Sequence, residues 1–398
     1  MDESTPVFIE ELSLTSFLSY HKITVPLSKL NVLIGANASG KSNFLEAFRL
    51  LQAAPRNFIV PIRVGGGVGQ WINKYDGIDA SAKIEAVVNF NPQSLRYAIQ
   101  FSSIGQRLSV TDELIENEKP RYGHDDVYFF YRYQDGNPTL NVKLTKGDDS
   151  DLTREHRHLR REDISYEQSI LSQRSDRDIY PEITYLGNQF ANIAVFTDWD
   201  MSRQSPIRQP QMIDAPNDFL LPDASNLALV INDLIYRGNR SQLLQDLQNF
   251  YDDVTDIFVR IEGGTAQLFI QERHTARIPT TRLSDGTLRY LCLLAILRHP
   301  NPPPLICIEE PELGMHPDIM STIADLLTQA AERTQIIVTT HSDALISALD
   351  DPETVLVCEQ GERGSSIQRL NQEKLDNWLK EYTIGDLWRM GEIGGNRW

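Results

Sequence analysis

The feature that most constrains this chain is the segment GANASGKS at residues 35–42, which follows an apolar strand pattern at 30–34 and precedes a helix pattern at 44–51. It is the complete G-x-x-x-x-G-K-[ST] phosphate-loop pattern, in the strand-loop-helix context that the pattern requires. Glycines at both ends let consecutive backbone N–H groups point inward, and the start of the next helix also favours an anion. The alternative, a glycine-rich loop that only turns the chain, does not need a lysine at this point. The segment therefore predicts a phosphate-binding loop.

The side chains of this loop indicate a nucleoside triphosphate and Mg²⁺ as ligands. Lys41 can reach the outer phosphates, and the Ser42 hydroxyl can ligate the metal ion. Pro55 is expected to end the helix that follows. The candidate nucleotide-binding residues of the loop are Gly35, Ala36, Asn37, Ala38, Ser39, Gly40, Lys41, Ser42 and Asn43.

Composition limits the possible partners. The chain has 398 residues, of which 41% are hydrophobic, and its 38 Lys+Arg against 55 Asp+Glu give a net charge of −17. This charge argues against a protein that covers DNA or an anionic membrane with its whole surface, so a nucleic-acid contact would need a local basic patch. The start of the chain is acidic, unlike a signal peptide, and no apolar run approaches the roughly 18 residues of a membrane span, so we expect a soluble, cytoplasmic protein. Cys292, Cys307 and Cys358 stand among aliphatic residues and are expected to be reduced core thiols.

Hydrophobic periodicity predicts alternating strands and helices along the chain. A glycine-rich segment at 65–69 has neither a lysine nor a strand-loop-helix frame, which favours a surface loop over a second phosphate site. Strands are predicted at 7–16, 23–27, 82–90, 95–102 and 193–197, hairpins at 127–133 with 139–145 and at 257–262 with 267–271, and helical spacing at 227–235 continuing to 250.

Two stretches between the first helix and residue 193 raise the question of nucleic-acid contact. Aromatic residues crowd the strand at 127–133 and could stack on bases, but alternation across a sheet favours core packing for them. Basic residues concentrate at 154–161, within a densely charged region at 146–177. The acidic residues interleaved with them favour a solvated helix face over contact with a phosphate backbone.

A second group of polar residues begins at the start of the apolar helix predicted at 288–297. Ser284 or Asp285 can cap this helix, and Gly286 allows close approach of another backbone. An aliphatic strand at 305–308 follows and ends in Glu309 and Glu310. One of these acids can hold Mg²⁺, and the other can position or deprotonate an attacking water.

The next strand supplies one more candidate. An amphipathic helix is predicted at 317–332, and a strand at 335–340 ends at His341. Because sites in α/β folds form at the carboxyl ends of strands, His341 is placed to contact a transferred phosphate.

The combination of GANASGKS, LSDGT, LICIEE and a strand-terminal histidine resembles the ABC-type ATPase heads of the SMC, RecF, RecN and OLD proteins, in particular compact bacterial AAA-family ATPases. The resemblance implies an α/β fold: a mixed central sheet carrying the phosphate loop and an antiparallel β subdomain, with an inserted lobe between Walker A and the signature, which lie 240 residues apart. The expected domains are the N-terminal head part at 1–102, an inserted lobe at 103–192, the C-terminal head part at 193–370 and a helical tail at 371–398.

The resemblance also assigns roles to matching residues. Residues 35–42 resemble Walker A, 306–310 the Walker B strand and 283–287 the ABC signature. Glu309 stands where the Mg²⁺-associated acid is usually an aspartate, Glu310 matches the catalytic glutamate and His341 the switch histidine. In such heads Ser284 and Gly286 would meet the γ-phosphate of ATP held by a second subunit. Residues 311–317 would cross the dimer seam. Asp285 stands where the transporter-type signature has a glycine. A Q-loop glutamine should follow the strand at 193–197, and no residue there stands out.

The function implied by this resemblance is an ATP-hydrolysing switch that uses Mg²⁺ and forms a homodimer across two ATP molecules. It would act in DNA repair or antiviral defence, through DNA or through a separate effector such as a nuclease or toxin. One alternative is an OLD-like nuclease, since OLD relatives carry a nuclease domain after the ATPase. Only 57 residues follow His341 here, and Asp198-Trp-Asp200, which has the Asp-x-Asp spacing of such a nuclease, lies far upstream. The other is a non-catalytic, ATP-dependent sensor or scaffold.

Overall fold

The computed structural model describes residues 7–77, 80–120, 123, 125–134, 137–144, 153–160, 163–273 and 277–395 of the chain. Its described part divides into two compact units. The N-terminal unit holds Pro6–Ile193 and Leu356–Arg369, and the C-terminal unit holds Ala194–Val355 and Leu370–Ile393. The division into four domains predicted above stays a prediction; its boundary at residue 102 falls inside a strand that runs to Ile104.

The strands predicted from the sequence are all present, and others were not predicted. In chain order the strands are β1 (Ile9–Phe17), β2 (Tyr20–Pro26), β3 (Leu30–Ile34), β4 (Ala82–Val88), β5 (Leu95–Ile104), β6 (Arg107–Asn117), β7 (Phe129–Gln134), β8 (Asn137–Leu144), β9 (Thr153–His158), β10 (Ala194–Phe196), β11 (Gln211–Met212), β12 (Val254–Glu262), β13 (Thr265–Glu272), β14 (Ile278–Pro279), β15 (Leu305–Glu309), β16 (Gln335–Thr339), β17 (Val355–Gly361) and β18 (Gly364–Arg369). Of these, β6, β9, β11, β14, β17 and β18 were not predicted.

The helices vary more in length than the strands. They are α1 (Lys41–Ala53), α2 (Ile59–Val64), α3 (Val68–Trp71), α4 (Ile170–Gln173), α5 (Pro181–Ala191), α6 (Leu227–Leu234), α7 (Arg240–Phe250), α8 (Asp285–Leu297), α9 (Met320–Ala331), α10 (Asp343–Ser347), α11 (Gln372–Leu375) and α12 (Ile384–Met390). Within the described residues, no helix is long and apolar enough to cross a membrane.

The N-terminal unit is built on an eight-stranded sheet in the order β2-β1-β4-β5-β6-β7-β8-β9. Every neighbouring pair is antiparallel. Alternate residues of β4 and β5 are buried, which confirms the predicted pairing of strands with one buried face. In the same unit β3 is fully buried and lies next to β17, which pairs with β18.

The hairpin predicted around residue 136 is confirmed by β7 and β8, in which Tyr131 lies opposite Leu140. Its turn at 135–136 lies outside the described residues. The side chains of Phe130, Tyr131 and Tyr133 are buried. Core packing is therefore confirmed for these three aromatic residues.

Thr153–His158, which includes most of the basic run at 154–161, forms the edge strand β9 where we expected a helix face, so that prediction was wrong. Arg157 lies opposite Leu140 in the ladder with β8, and the side chains of His156, Arg157 and His158 are exposed. An edge strand tolerates charged side chains and gains ladder hydrogen bonds from its neighbour, so tertiary pairing overrides the local pattern. Arg161 lies outside the described residues.

The C-terminal unit contains the parallel strands β10, β15 and β16, with Val195 opposite Cys307 and Cys307 opposite Ile337. Parallel pairing brings the carboxyl ends of β15 and β16 together, where Glu309 lies opposite Thr339. The apolar helix α8 is almost entirely buried. Cys292 and Cys307 of this unit and Cys358 of the N-terminal unit are buried, which confirms the prediction of core thiols, and none of them forms a disulfide within the described residues.

A second small sheet in this unit has the order β11-β13-β12 and confirms the second predicted hairpin. The helical stretch predicted to run to residue 250 is instead interrupted between α6 and α7. The interruption is a π-helical segment, Ile235–Asn239, in which Gly238 has a φ of 94°. Glycine adopts this left-handed conformation without steric cost, which explains why the break occurs there.

Candidate nucleotide and hydrolysis sites

The phosphate loop connects β3 to α1 through backbone that bends left-handed at three points. Gly35 has a φ of 152°, Ala38 of 63° and Gly40 of 109°. Gly40 is the N-cap of α1 and supplies no capping side chain. Because the start of a helix favours an anion, this uncapped end suits a phosphate.

Close packing explains the two glycines. A Cβ atom on Gly35 would lie 2.3 Å from the backbone oxygen of Cys358, and one on Gly40 would lie 2.6 Å from Oγ of Ser365. The Tyr20 hydroxyl donates to the carbonyl of Gly40 over 2.8 Å. The loop is thus held from both sides by β17–β18 and by the start of β2.

Lys41 and Ser39 place polar groups inside the loop. The Lys41 side chain is buried, and its Nζ donates to the carbonyl oxygens of Gly35 at 2.9 Å and Ala36 at 3.0 Å. Oγ of Ser39 is buried and has no hydrogen-bond partner among the described residues. A buried hydroxyl without a partner is costly, so a bound phosphate that supplies one fits this loop.

A cavity of about 560 Å³ opens beside α1 in the same unit. Asn43, which directly follows the loop, lines the cavity together with residues further along α1, and the size of the cavity falls in the range of small-molecule pockets. Its walls combine apolar and charged side chains, including Leu18, Asn43, Arg49, Arg56, Val64 and Trp71.

The acidic end of β15 lies in the C-terminal unit. Glu310 follows the strand with a φ of 45°, and its N–H donates to the carbonyl of Thr339 on β16 over 2.9 Å. Its Oε1 lies 3.5 Å from Nε2 of His341, and both side chains are partly exposed. The structure therefore brings Glu310 and His341 together at the carboxyl ends of neighbouring parallel strands.

A third acid, Glu312, holds the backbone of His341, and the sequence pattern did not single it out. Its Oε1 accepts hydrogen bonds from the hydroxyl of Thr340 at 2.5 Å and from the N–H of His341 at 2.8 Å. Oε2 is buried and has no hydrogen-bond partner within the described part of the chain. Burial raises the pKa of Glu312. The sequence Glu-Glu-Pro-Glu at 309–312 could have drawn attention to it, but its hydrogen-bond partners cannot be predicted from the sequence.

The signature segment precedes α8. Of the two predicted caps, Ser284 caps the helix, and its Oγ accepts the N–H of Thr287 over 3.1 Å. A Cβ on Gly286 would lie 2.9 Å from the carbonyl of Gly314, so the predicted close approach of another backbone is confirmed. Asp285 does not cap the helix; its carboxylate accepts a hydrogen bond from the buried guanidinium of Arg208.

The oxygen donors expected to hold Mg²⁺ are the Ser42 hydroxyl at the start of α1 and the Glu309 carboxylate at the end of β15. They are hard oxygen ligands, which suit this ion. Among the described residues, no group of three or more His, Cys, Asp or Glu side chains could hold a metal alone. A Mg²⁺ that keeps several waters and phosphate oxygens as ligands needs only one or two protein ligands, so each donor, Ser42 in the N-terminal unit and Glu309 in the C-terminal unit, has the chemistry that suits this ion.

The predicted site residues therefore fall into two groups. Residues 35–43 lie in the N-terminal unit, and Ser284, Asp285, Gly286, Glu309, Glu310 and His341 lie in the C-terminal unit. Asp200 belongs to Asp198-Trp-Asp200, the segment considered above as a nuclease motif. It accepts hydrogen bonds from the N–H and the hydroxyl of Ser202, two residues further on, as in an ordinary turn.

A family described as "AAA domain, putative AbiEii toxin, Type IV TA system" matches residues 30–347. The match covers well over half of the chain. The chain belongs to this family. The matched residues run from the phosphate-loop strand past His341 and include every candidate site residue. Membership in this ATPase family implies ATP binding.

Comparison with individual proteins agrees with this family. The DNA replication and repair protein RecF of Oceanobacillus iheyensis is 33% identical over 103 residues, which are 26% of this chain and 26% of RecF. The similarity thus spans about a quarter of that curated relative. An Smc head bound to the C-winged helix domain of ScpA is 15% identical, with a TM-score of 0.58, covering 92% of this chain and 99% of that one. An Smc head with an extended coiled coil bound to the C-terminal domain of ScpA, from Pyrococcus furiosus, is 14% identical, with a TM-score of 0.57, covering 94% and 99%.

The two Smc heads establish the fold. Their coverage of nearly the whole chain confirms the predicted ABC-ATPase head class. Together with the family and the RecF match, they confirm the resemblance to ABC-type ATPases of the SMC and RecF branch.

Proposed function

We propose that the chain is an ATP-hydrolysing switch that closes into a homodimer around two ATP molecules and opens after hydrolysis. The observation that carries this proposal is the pair formed by Glu310 and His341 in a chain that also has a complete phosphate loop with a buried Lys41. An acid beside a histidine at a strand end is an arrangement suited to positioning a nucleophilic water.

Binding would begin at the phosphate loop. Lys41 would exchange its contacts with the loop carbonyls for phosphate oxygens, and the hydroxyl of Ser39 would gain a partner. Mg²⁺, when bound through Ser42 and Glu309, would neutralise charge on the outer phosphates.

Hydrolysis would depend on Glu310, which would accept a proton from the attacking water or hold that water in line with the γ-phosphorus. His341 would contact the γ-phosphate. Most of the catalysis would be positioning and electrostatics, as is general for phosphoryl transfer.

Dimerisation would add the signature segment of a second subunit, with Ser284 and Gly286 meeting the γ-phosphate. The turn at residues 313–318 is largely exposed, including the apolar side chain of Leu313 at 43%. An exposed turn next to the signature glycine supports its proposed place at the seam between subunits.

The cellular role would be DNA repair or antiviral defence. The repair reading rests on the similarity to RecF, and the defence reading on the toxin-antitoxin wording of the family description. Either role allows a separately encoded partner, as the ScpA-bound Smc heads have. A DNA contact would use the exposed Arg157 and Arg160, and replacing both with Ala should then weaken salt-sensitive DNA binding.

The deciding experiment uses the Glu310→Gln variant, with the exposed Glu332→Gln as a matched control. Glu310→Gln should lower the ATP hydrolysis rate by about 100-fold or more and trap an ATP-bound dimer, measured by phosphate release and light scattering. Glu332→Gln should behave like the unmodified protein. A Glu310→Gln protein that stays monomeric with ATP and Mg²⁺, while the unmodified protein hydrolyses ATP, would falsify the dimer mechanism.

A further inference from the structure

A buried guanidinium lies directly beneath the signature segment. The Arg208 side chain is 5% exposed. Its Nε donates to the carbonyl of Met201 at 3.0 Å, and its Nη1 donates to those of Leu283 at 2.7 Å and Thr280 at 3.2 Å. Its Nη2 donates to the carboxylate of Asp285. One side chain thus gathers three carbonyls and an acid.

The attachment runs in both directions. The Thr280 hydroxyl donates back to the carbonyl of Arg208 over 3.1 Å. Arg289, one turn further along α8, directs its guanidinium toward the carbonyl of Trp199 at 3.5 Å. The hydrogen-bonded ion pair of Asp285 in the described structure is therefore with Arg208.

Asp285 poses an electrostatic problem for the proposed function. Its carboxylate is 66% exposed at the first turn of α8, where the γ-phosphate of a second subunit's ATP is proposed to arrive. Two anions a few ångströms apart repel each other, and near a protein surface this costs about tenfold or more in affinity. A glycine, the residue of the transporter-type signature, would not create this repulsion.

We propose that Arg208 is a positioning residue for the signature: it neutralises Asp285 and fixes the segment, so that the start of α8 can receive a phosphate. This inference rests on the proposed dimer function. It also gives a reason for an acid at a position where the related signature has glycine, because the pair keeps the segment both anchored and neutral.

The test compares Arg208→Met, Asp285→Asn and the double variant in the full-length protein. Arg208→Met should bind ATP like the unmodified monomer but lose about tenfold in ATP-induced dimerisation and hydrolysis. Asp285→Asn should be clearly less impaired than Arg208→Met, because it removes the repelling charge. The double variant should dimerise and hydrolyse ATP clearly better than Arg208→Met, because the uncompensated charge of Asp285 is gone, and a merely structural role of Arg208 would not allow this recovery.

Two results would overturn the inference: an Asp285→Asn protein as impaired as Arg208→Met, or a double variant with no recovery. If circular dichroism shows that Arg208→Met does not fold, Arg208→Lys with and without Asp285→Asn replaces it, and absence of recovery again decides against us. Dimerisation of Glu310→Gln with ATP is measured in parallel. If that variant dimerises and Arg208→Met behaves as unmodified, the inference fails while the proposed function stands.

Discussion

The phosphate loop and the acidic end of β15 are built by opposite means. The loop is one contiguous run of eight residues whose shape comes from glycine backbone and whose lysine bonds to its own loop carbonyls. The acidic end is assembled from residues 309–312 and the residues just after β16, joined by hydrogen bonds from the hydroxyl of Thr340 and the backbone of His341 to Glu312. Gly286 of α8 lies close to the backbone of Gly314 in the turn that follows. The loop should therefore fail when its own backbone is changed, and the acidic end when remote side chains are changed.

Each of the two regions also holds a non-glycine residue in left-handed backbone. Ala38 in the loop has a φ of 63°, and Glu310 has a φ of 45°. Such backbone costs free energy and persists where the surroundings enforce it. Ala38 lies between Gly35 and Gly40 in the sequence. Glu310, by contrast, is held by its hydrogen bond to Thr339 on another strand.

The largest expected effect comes from adding one methyl group to the loop. In Gly35→Ala the new Cβ would lie 2.3 Å from a backbone oxygen, so the loop must distort. ATP affinity should fall by about 100-fold or more, measured with a fluorescent ATP analogue. Gly69→Ala, in the second glycine-rich segment, meets open space and should bind ATP normally. Equal loss in both variants would contradict the assignment of the phosphate site to residues 35–43.

Glu113 is a buried acid outside both regions, and it shows what burial alone does to the pKa of a carboxyl group. Glu113 accepts hydrogen bonds from Ser169 at 2.5 Å, the N–H of Ile170 at 2.9 Å and Tyr97 at 2.9 Å. Burial raises its pKa from 4.5 to about 7. Because the folded state binds this proton more tightly, its stabilising contribution is complete below pH 4.5 and is lost as pH rises through about 7.

Relative to Glu113→Gln, the unmodified protein should therefore lose about 3 kcal/mol of unfolding free energy between these pH values, measured by urea denaturation. The exposed Glu362→Gln keeps Glu113 and should lose as much as the unmodified protein. ATP hydrolysis at a fixed pH should be the same in all three proteins. Glu113 is a buried, hydrogen-bonded acid like Glu312, but the partners given above are not candidate site residues. A pH-independent difference would contradict the raised pKa.

Glu312, unlike Glu113, is hydrogen-bonded to a candidate site residue, His341. Glu312→Ala removes the acceptor that ties His341 to the turn after β15, so kcat should fall by about tenfold with little change in KM. Glu312→Gln keeps an acceptor for the N–H of His341 and should retain more activity than the alanine variant. Steady-state ATP hydrolysis measures both. A rate unaffected by Glu312→Ala would show that His341 is held without the clamp.

The smallest expected effect concerns the strain of Ala38. Ala38→Gly should raise the unfolding free energy by at most about 1 kcal/mol, because relief of the left-handed backbone is partly offset by the larger entropy of the unfolded chain. Ala53→Gly, at the end of α1, should lower it by up to about 1 kcal/mol. Thermal melting distinguishes the two signs, and a loss in Ala38→Gly would show that the loop backbone is not strained there.

Local patterns predicted most of the fold. The strands around β3, the antiparallel pairs, the two hairpins and the buried helix α8 all follow apolar periodicity, which a chain must satisfy to bury one face. The prediction failed where pairing with a neighbour decided the outcome. Strand β9 consists of charged, histidine and threonine residues and has no apolar periodicity to reveal it. Separately, the break between α6 and α7 falls at Gly238, whose left-handed backbone the helical spacing does not indicate.

The sequence by itself determined the phosphate loop, since the loop's conformation follows from the residues within it, and it named Glu310 and His341 because each ends an aliphatic strand. Only the tertiary structure decided that Glu312 holds the backbone of His341 and that Arg208 holds Asp285. Hydrogen bonds between residues separated by 29 and 77 positions depend on the register of whole strands and loops, and no local pattern encodes that register.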